Sequence, residues 1–200
     1  SIMDYIGTFA FALSGAYLAI RYELDIFGIF VCAFSTACGG GITRDVVMNV
    51  GVPRFFSSYT TIMIVIVASL LAIATKSEKW SKLMLTADAI GLAVFAIDTG
   101  VRGLDNGYNL PQLVFASVIT AVGGGVIRDI LLRVPIVLRK EVYASAALAG
   151  AVVLWFIYPI MDKMVATYIS LAVVFGIRMW SVYKHIDLPV VHLDTSESAQ

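Results

Sequence analysis

Charged residues are scarce in this sequence, since Lys, Arg, Asp and Glu make up only 14% of its 200 residues, against about 25% in soluble domains. Apolar residues make up 60%, and the mean hydropathy is +0.89. A soluble fold of this size has too little interior to cover that much apolar surface. The formal net charge is zero, which provides no electrostatic attraction to nucleic acid. The composition therefore predicts an integral membrane protein that binds membrane lipid and no nucleic acid.

Residues that carry most metal and thiol chemistry are also rare. The two cysteines, Cys32 and Cys38, lack CxxC spacing, and the two histidines, His185 and His192, lie in the polar C-terminal part. These absences exclude the usual zinc, thiol-redox and histidine-base chemistries from the apolar segments. An intramembrane enzyme with aspartates as acid and base is an open alternative, but no nucleophile motif or metal cluster accompanies it. We therefore predict no catalytic residue, no enzyme activity and no cofactor.

Apolar stretches of nearly spanning length alternate with short polar breaks. We predict an all-α membrane fold with seven transmembrane helices, each close to the roughly 20 residues that a bilayer requires. The predicted spans are residues 2–20, 27–52, 59–75, 83–101, 113–134, 142–160 and 165–183. Residues 1–186 then form a single transmembrane domain, and the polar residues 187–200 form a C-terminal tail.

One sequence phrase occurs twice, as TACGGGITRD at residues 36–45 and as TAVGGGVIRD at residues 120–129. Asp4 and Asp88 match in the same register, and a Val-Pro follows each copy. The repeating unit is therefore three helices long, with one copy at about residues 2–75 and the other at about residues 83–160. The seventh helix stands outside the repeat.

Three crossings leave the chain on the opposite side of the membrane, so the second copy is predicted to insert upside down. Such inverted repeats are typical of transport proteins whose pathway lies at the repeat interface. Lysine and arginine in the loops indicate the orientation. The side predicted to be cytoplasmic carries Arg21, Lys76, Lys79, Lys82, Arg139, Lys140 and Lys184, whereas the other carries Arg54, Arg102 and Lys163. This places the N-terminus outside and the C-terminus in the cytoplasm.

Three successive glycines are costly in a helix, because each destabilises a helix interior by about 1 kcal/mol relative to alanine. Two interpretations stay open. Small residues allow close helix packing, or the glycines interrupt the helix and uncover backbone carbonyls, which suit a partly dehydrated alkali cation. On the second interpretation the pore kinks lie at Gly39, Gly40, Gly41, Gly123, Gly124 and Gly125, and a potassium ion binds backbone carbonyls near Gly39, Gly40, Gly123 and Gly124.

A charge pair follows each glycine run, Arg44-Asp45 in the first copy and Arg128-Asp129 in the second. Ionisable residues within spans usually face a bundle interior or a wet cavity, although a long arginine side chain also reaches the interface. Adjacent side chains on a helix point about 100° apart, so we expect each arginine to pair across helices rather than with its neighbour. The inverted repeat then predicts two charged vestibules around a constriction.

Other polar residues give weaker signals. Asp98, whose repeat partner is Ser14, either lines the pathway or caps the following loop. Asp4 and Asp88 near helix starts are explained by the favourable position of a carboxylate there. The hydroxyls of Ser35, Thr36 and Thr120 are candidate ion ligands, although such hydroxyls often bond to their own backbone.

The doubled Gly-Gly-Gly-x-x-Arg-Asp, the Val-Pro after each copy and the three-plus-three-plus-one helix count resemble a prokaryotic member of the TRIC family, the trimeric intracellular cation channels. The resemblance implies a homotrimer in a prokaryotic plasma membrane. It implies one pore per protomer, lined by glycine-kinked second and fifth helices and permeable to potassium or sodium. Related bacterial sequences are often called glycine transporters, and broken helices also suit a zwitterion. A secondary transporter of glycine or another small amino acid is therefore the alternative function.

Overall fold

The computed structural model describes residues 2–49, 51–53, 55, 59–75, 80–135 and 142–186. These residues form seven α-helices, which confirms the predicted all-α fold, and the predicted tail lies outside them. The helices are α1 (Ile2–Arg21), α2 (Ile26–Val47), α3 (Tyr59–Ala74), α4 (Trp80–Asp105), α5 (Leu110–Leu131), α6 (Ala144–Ile157) and α7 (Lys163–Lys184). Five of them, α1, α2, α4, α5 and α7, are long and apolar enough to cross a membrane, whereas α3 and α6 are shorter apolar helices.

Several helix ends differ from the predicted ones. Helix α2 ends at Val47 rather than near residue 52, because Asn49 and Gly51 adopt positive φ angles of 52° and 87° that stop a right-handed helix. Helix α4 continues to Asp105, which places Arg102 on a helix and not in the predicted loop. The sequence pattern missed this last turn because its residues are polar.

The repeat is visible in the turns and caps as well as in the sequence. Glu23 after α1 and Gly107 after α4 lie 84 positions apart, and both adopt the left-handed conformation. Their φ angles are 57° and 75°. Asp25 is the N-cap residue of α2, and its side chain accepts a hydrogen bond from the Gly28 N–H at 2.7 Å. Its equivalent before α5 is Asn109, which accepts one from the Gln112 N–H at 3.0 Å. Both caps satisfy N–H groups that would otherwise be orphaned at the helix start.

The two repeats run in opposite directions. Gly7 at the start of α1 lies beside Phe95 in the second half of α4, whereas Gly91 lies beside Phe11. Residue numbers therefore rise along α1 as they fall along α4, which makes the two helices antiparallel. The equivalent rings of Phe11 and Phe95 stack with centroids 5.3 Å apart, so the pseudo-two-fold axis passes between them. Helices α1–α3 and α4–α6 are inverted repeats, as predicted, and α7 packs outside them against α4 and α6.

Candidate functional site

The two glycine runs meet each other at the centre of the repeat interface. A Cβ added to Gly40 of α2 would lie 2.6 Å from the carbonyl oxygen of Thr120 in α5, and one added to Gly124 would lie closer still to the carbonyl oxygen of Thr36. The same contact is thus made twice around the pseudo-two-fold axis. No side chain fits at either position, so these glycines allow the backbones of α2 and α5 to touch.

Both helices continue through the glycine runs without interruption. The helix break of the second interpretation is therefore absent from α2 and α5. The physical reason is that each helix packs against the face of the other that has no side chains, at Gly39, Gly40 and Gly124. The Gly39 carbonyl also accepts a hydrogen bond from Thr43 Oγ1 at 2.6 Å. A bend within the continuous helices and a potassium ion at these carbonyls stay predictions.

The first charge pair lies in a network that joins three helices, and we call it the Arg44 cluster. Arg44 of α2 donates to Asp4 of α1 at 2.5 Å and to Asp98 of α4 at 3.2 Å. It also donates to the neighbouring Asp45 at 2.9 Å. Arg102 of α4 then bridges Asp4 at 2.6 Å and Asp98 at 2.7 Å. Five ionisable side chains therefore hold the ends of α1, α2 and α4 together.

The second charge pair lies in a corresponding network, the Arg128 cluster. Arg128 of α5 donates to Asp88 of α4 at 2.6 Å, to Ser14 of α1 at 2.8 Å and to the neighbouring Asp129 at 2.9 Å. The Tyr143 hydroxyl donates to Asp88 at 3.2 Å. Arg178 of α7 lies 3.9 Å from Asp88 and stacks on the Tyr143 ring at 4.9 Å from its centroid. All six residues are buried.

The two clusters are equivalent through the inverted repeat. Each arginine binds the aspartate 40 residues before it, in the first helix of its own repeat. Each also binds a residue in the first helix of the other repeat. Arg44 binds Asp98 and Arg128 binds Ser14, and these two residues occupy equivalent positions. Because ten residues of helix span about 15 Å, the clusters lie about 15 Å apart along α1, on either side of the glycine contact.

Pairing across helices was predicted and is present, but each arginine also binds its neighbouring aspartate, which was not expected. Arg44 and Arg128 each use Nε to reach the adjacent aspartate and Nη1 to reach other helices. A guanidinium has five N–H donors in a planar fork, so one side chain serves both directions. The interpretation of Asp4 and Asp88 as simple helix-start carboxylates is also incomplete, because both bind arginines, and Asp88 lies two turns inside α4.

The clusters differ in charge and exposure. The Arg44 cluster has three carboxylates and two guanidiniums, which leaves one formal negative charge. It borders a cavity of about 370 Å³ that Arg44, Asp45 and Arg102 line together with Met48, Asn49, Asn106 and Tyr108. In the Arg128 cluster the charges of Asp88 and Asp129 balance those of Arg128 and Arg178.

The predicted hydroxyl ligands lie near the glycine contact. Thr36 Oγ1 donates to the Cys32 carbonyl at 2.7 Å, as hydroxyls in helices often do, and Ser35 is half-buried. Thr120 Oγ1 is buried and makes no hydrogen bond with the described residues. The structure therefore brings Thr36 and Thr120 to the centre of the interface and leaves Ser35 at its side.

Three residues of the clusters were missed in the sequence. Arg102 follows Asp98 by four residues, which is the spacing of an ion pair on one helix face. Arg178 is a single arginine inside an apolar span, and such a residue usually has a partner within the bundle. Tyr143 is the third, and its sequence environment carries no signal for the contact with Asp88.

A separate exposed network ties α7 to the end of α4. Asp105 accepts hydrogen bonds from Lys163 at 2.6 Å and from the Tyr158 hydroxyl at 2.7 Å. Burial and the hydrogen bond to the Asp105 carboxylate raise the pKa of the Tyr158 phenol, since both disfavour the phenolate. This network lies at the same end of α4 as the Arg44 cluster, outside it.

Comparison with known proteins agrees with this architecture. The family model described as "Glycine transporter" matches residues 1–77 and 85–159, which correspond to the two inverted repeats. A solved structure described as a study of conductance through TRIC cation channels is 34% identical, covers 98% of each chain and superposes with a TM-score of 0.85. The chain belongs to the TRIC family.

Two further relatives show the same full-length correspondence. The TRIC orthologue from Rhodobacter sphaeroides is 29% identical, with 92% of this chain and 97% of that chain covered and a TM-score of 0.84. The inner membrane protein YadS of Escherichia coli K12 is 35% identical over 96% of both chains. This TRIC protein therefore matches these relatives over nearly its whole length, whereas the family model ends before α7.

Proposed function

We propose that this protein is a channel for monovalent cations, with potassium as its main permeant ion, and that each protomer of a homotrimer has its own pathway. The relatives of known structure described as TRIC cation channels support the function and the trimer. The observation that carries the pathway is the paired arrangement of the Arg44 and Arg128 clusters on the two sides of the glycine contact. Charged side chains inside a helical bundle are expensive, and substrate or ion pathways are among the functions that they mark.

In this proposal the Arg44 cluster faces outward and the Arg128 cluster faces the cytoplasm. The formal negative charge of the Arg44 cluster would concentrate cations in the adjoining cavity. Asp98 is central to that charge, because its repeat equivalent is the neutral Ser14. The glycine contact between the clusters is the narrowest point, where the Gly40 and Gly124 backbones of α2 and α5 would have to separate for an ion to pass.

A second candidate function is suggested by the description of the family model, glycine transport. A zwitterion needs a cationic and an anionic partner at one site, and Arg102 and Asp45 both line the cavity at the Arg44 cluster. Against this function, the guanidinium of Arg102 already binds Asp4 and Asp98. The arrangement therefore favours ion permeation over amino-acid binding.

Recording in planar bilayers tests the proposal. With a KCl gradient across the bilayer, purified protein should give discrete currents that reverse near the potassium equilibrium potential. Currents that reverse near the chloride potential would contradict cation selectivity. Addition of glycine to one side should not shift the reversal potential, whereas a glycine-dependent shift would support coupled transport.

A further inference from the structure

Three side-chain hydroxyls are buried in α4 and α5 without a hydrogen bond. Thr99 of α4 and Ser117 and Thr120 of α5 are each at most 1% exposed. Their side-chain oxygens make no hydrogen bond with the described residues. Buried polar groups of native proteins are nearly always hydrogen-bonded, so each of these oxygens requires an explanation, such as a bound water or ion.

The first repeat shows where these three residues lie relative to one another. The residues 84 positions earlier are Gly15, Ala33 and Thr36. A Cβ on Gly15 would lie 2.5 Å from Thr36 Oγ1 and 3.1 Å from the Ala33 Cα, so these residues are in contact. The offset of 84 holds on both sides of this contact, at the stacked phenylalanines and turns of α1 and α4 and at the caps and arginines of α2 and α5. The three hydroxyl residues therefore lie together at the equivalent contact between α4 and α5.

A direct contact agrees with this placement. A Cβ on Gly100, the residue after Thr99, would lie 3.1 Å from Ser117 Oγ. Ser117 and Thr120 are three residues apart on α5, so they lie on one face of that helix. The second repeat therefore has a hydroxyl at each of the three positions, whereas the first repeat has one.

The two equivalent threonines differ in their hydrogen bonds. Thr36 Oγ1 donates to the Cys32 carbonyl at 2.7 Å, whereas Thr120 Oγ1 makes no hydrogen bond with the described residues. Gly15 leaves the space that the Thr36 hydroxyl needs, since a Cβ there would lie only 2.5 Å from Oγ1. Thr99 has a Cβ at the equivalent position, so the Thr120 hydroxyl cannot take the same place and requires another partner.

The three hydroxyls lie between the glycine contact and the Arg44 cluster. The Thr120 carbonyl contacts Gly40, which precedes Arg44 on α2 by about one turn. Thr99 follows Asp98, which accepts a hydrogen bond from Arg44 at 3.2 Å. The hydroxyls carry no charge, and a buried water typically makes about three hydrogen bonds to polar groups. Their number and chemistry therefore suit one water.

We propose that Thr99, Ser117 and Thr120 form a hydration site that holds a buried water beside the constriction. In the open channel, the same oxygens replace part of the hydration shell of a cation that moves from the Arg44 cluster to the glycine contact, as oxygen ligands do in selectivity filters. The role in permeation rests on the proposed function, whereas the water site does not. The first repeat offers only the Thr36 hydroxyl at the equivalent positions, and that hydroxyl is already bonded.

Replacement of the threonines by valine tests the water site without any current. Valine has the shape of threonine but no hydroxyl, so Thr99→Val and Thr120→Val each remove one partner of the water. Each should lower the unfolding temperature in detergent by about 2–4 °C, the shift that one hydrogen bond gives in a protein of this size. Because both hydroxyls bind the same water, the double variant should lose less than the sum of the two shifts. Ser117→Ala replaces either valine variant in this comparison if that variant fails to assemble.

Thr36→Val is the matched control for Thr120→Val, because the Thr36 hydroxyl bonds to its own helix on the other side of the glycine contact. Its shift should add to that of Thr99→Val. Higher unfolding temperatures in Thr99→Val and Thr120→Val would show that their hydroxyls are buried without any partner, and this result would overturn the proposal. Strictly additive shifts in the double variant would overturn it as well.

The choice of salt distinguishes a bound water from a resident ion. The unfolding temperatures are measured in potassium chloride and again in N-methyl-D-glucamine chloride, whose cation is too large for a buried site. Non-additive shifts in both salts support the water. Non-additive shifts in potassium chloride alone would overturn the water and identify potassium as the ligand.

Potassium current through the same variants tests the role in permeation. Thr99→Val and Thr120→Val should reduce the current severalfold. Ser69→Ala should leave it unchanged, because Ser69 lies in α3 and its hydroxyl bonds to its own helix at Val65. Equal currents in all variants would refute the role in permeation and leave the channel standing. Non-additive shifts without potassium current in the parent protein would support the water site and refute the channel.

Discussion

Arg44 and Arg128 make the same contacts in opposite halves of the molecule. Each donates to an aspartate 40 residues earlier in its own repeat, Asp4 at 2.5 Å and Asp88 at 2.6 Å. Each also reaches the first helix of the other repeat, and each thereby fastens two repeats together. Because the repeats are inverted, these two arginines define opposite ends of one interface, and the space between them is where the proposed pathway runs.

The glycine contact gives the first prediction. Gly40→Ala and Gly124→Ala should each destabilise the protein, because the new Cβ would collide with a backbone carbonyl that has no side-chain freedom to move. Overpacking of this kind costs about 1–3 kcal/mol, more than the roughly 1 kcal/mol that alanine contributes to helix propensity. Thermal unfolding in detergent measures the effect.

Gly41→Ala is the matched control, since no atom of the described residues lies within 4 Å of its added Cβ. This variant should unfold at the same temperature as the parent or higher. If Gly40→Ala and Gly124→Ala are as stable as Gly41→Ala, the backbones of α2 and α5 are not in contact.

The buried ion pairs give the second prediction. Asp88→Asn should lower the free energy of unfolding by about 3–5 kcal/mol, as expected when one partner of a buried pair is removed. Asp4→Asn should cost less, because the Asp4 side chain is 19% exposed and that of Asp88 only 2%. In addition, Asp98 still binds both arginines of the Arg44 cluster. Equal losses of unfolding free energy in Asp88→Asn and Asp4→Asn would contradict the difference in burial between the two clusters.

The sequence was sufficient for much of this architecture. The repeated glycines and Arg-Asp pairs predict the inverted repeats, because the same residues recur at a constant offset. The repeat could not identify Arg102 or Arg178, since neither has an arginine at its equivalent position, and α7 has no second copy. The sequence also could not distinguish close helix packing at Gly40 and Gly124 from a helix break that uncovers backbone carbonyls, because both require the absence of a Cβ atom.

Charge selectivity gives the third prediction. Asp98→Asn removes one carboxylate from the Arg44 cluster and its formal negative charge, so the ratio of potassium to chloride permeability should fall severalfold. The effect should shrink at high ionic strength, where the charge is screened. Reversal potentials in KCl gradients at low and high salt measure the permeability ratio and its dependence on ionic strength.

Asp105→Asn is the control for Asp98→Asn. It removes the same charge at the same end of α4, but Asp105 binds Lys163 and Tyr158 outside the cluster. A similar loss of selectivity in both variants would indicate a general surface effect rather than a role for Asp98.

Orientation gives the fourth prediction. A cysteine in place of Glu23, in the turn after α1, should react with an impermeant thiol reagent only from the cytoplasm. A cysteine in place of Asn106, after α4, should react only from outside. Both positions are exposed, and the two native cysteines are buried. The opposite labelling pattern would reverse the sides assigned to the Arg44 and Arg128 clusters.

In the proposed function, cations pass through each protomer without a coupled substrate. Purified protein in potassium-loaded liposomes, with parallel samples for radiolabelled glycine uptake, tests it most directly. Potassium efflux that increases with the applied voltage, with no saturable glycine uptake in the parallel samples, is the expected result. Saturable glycine uptake with little potassium flux would contradict it.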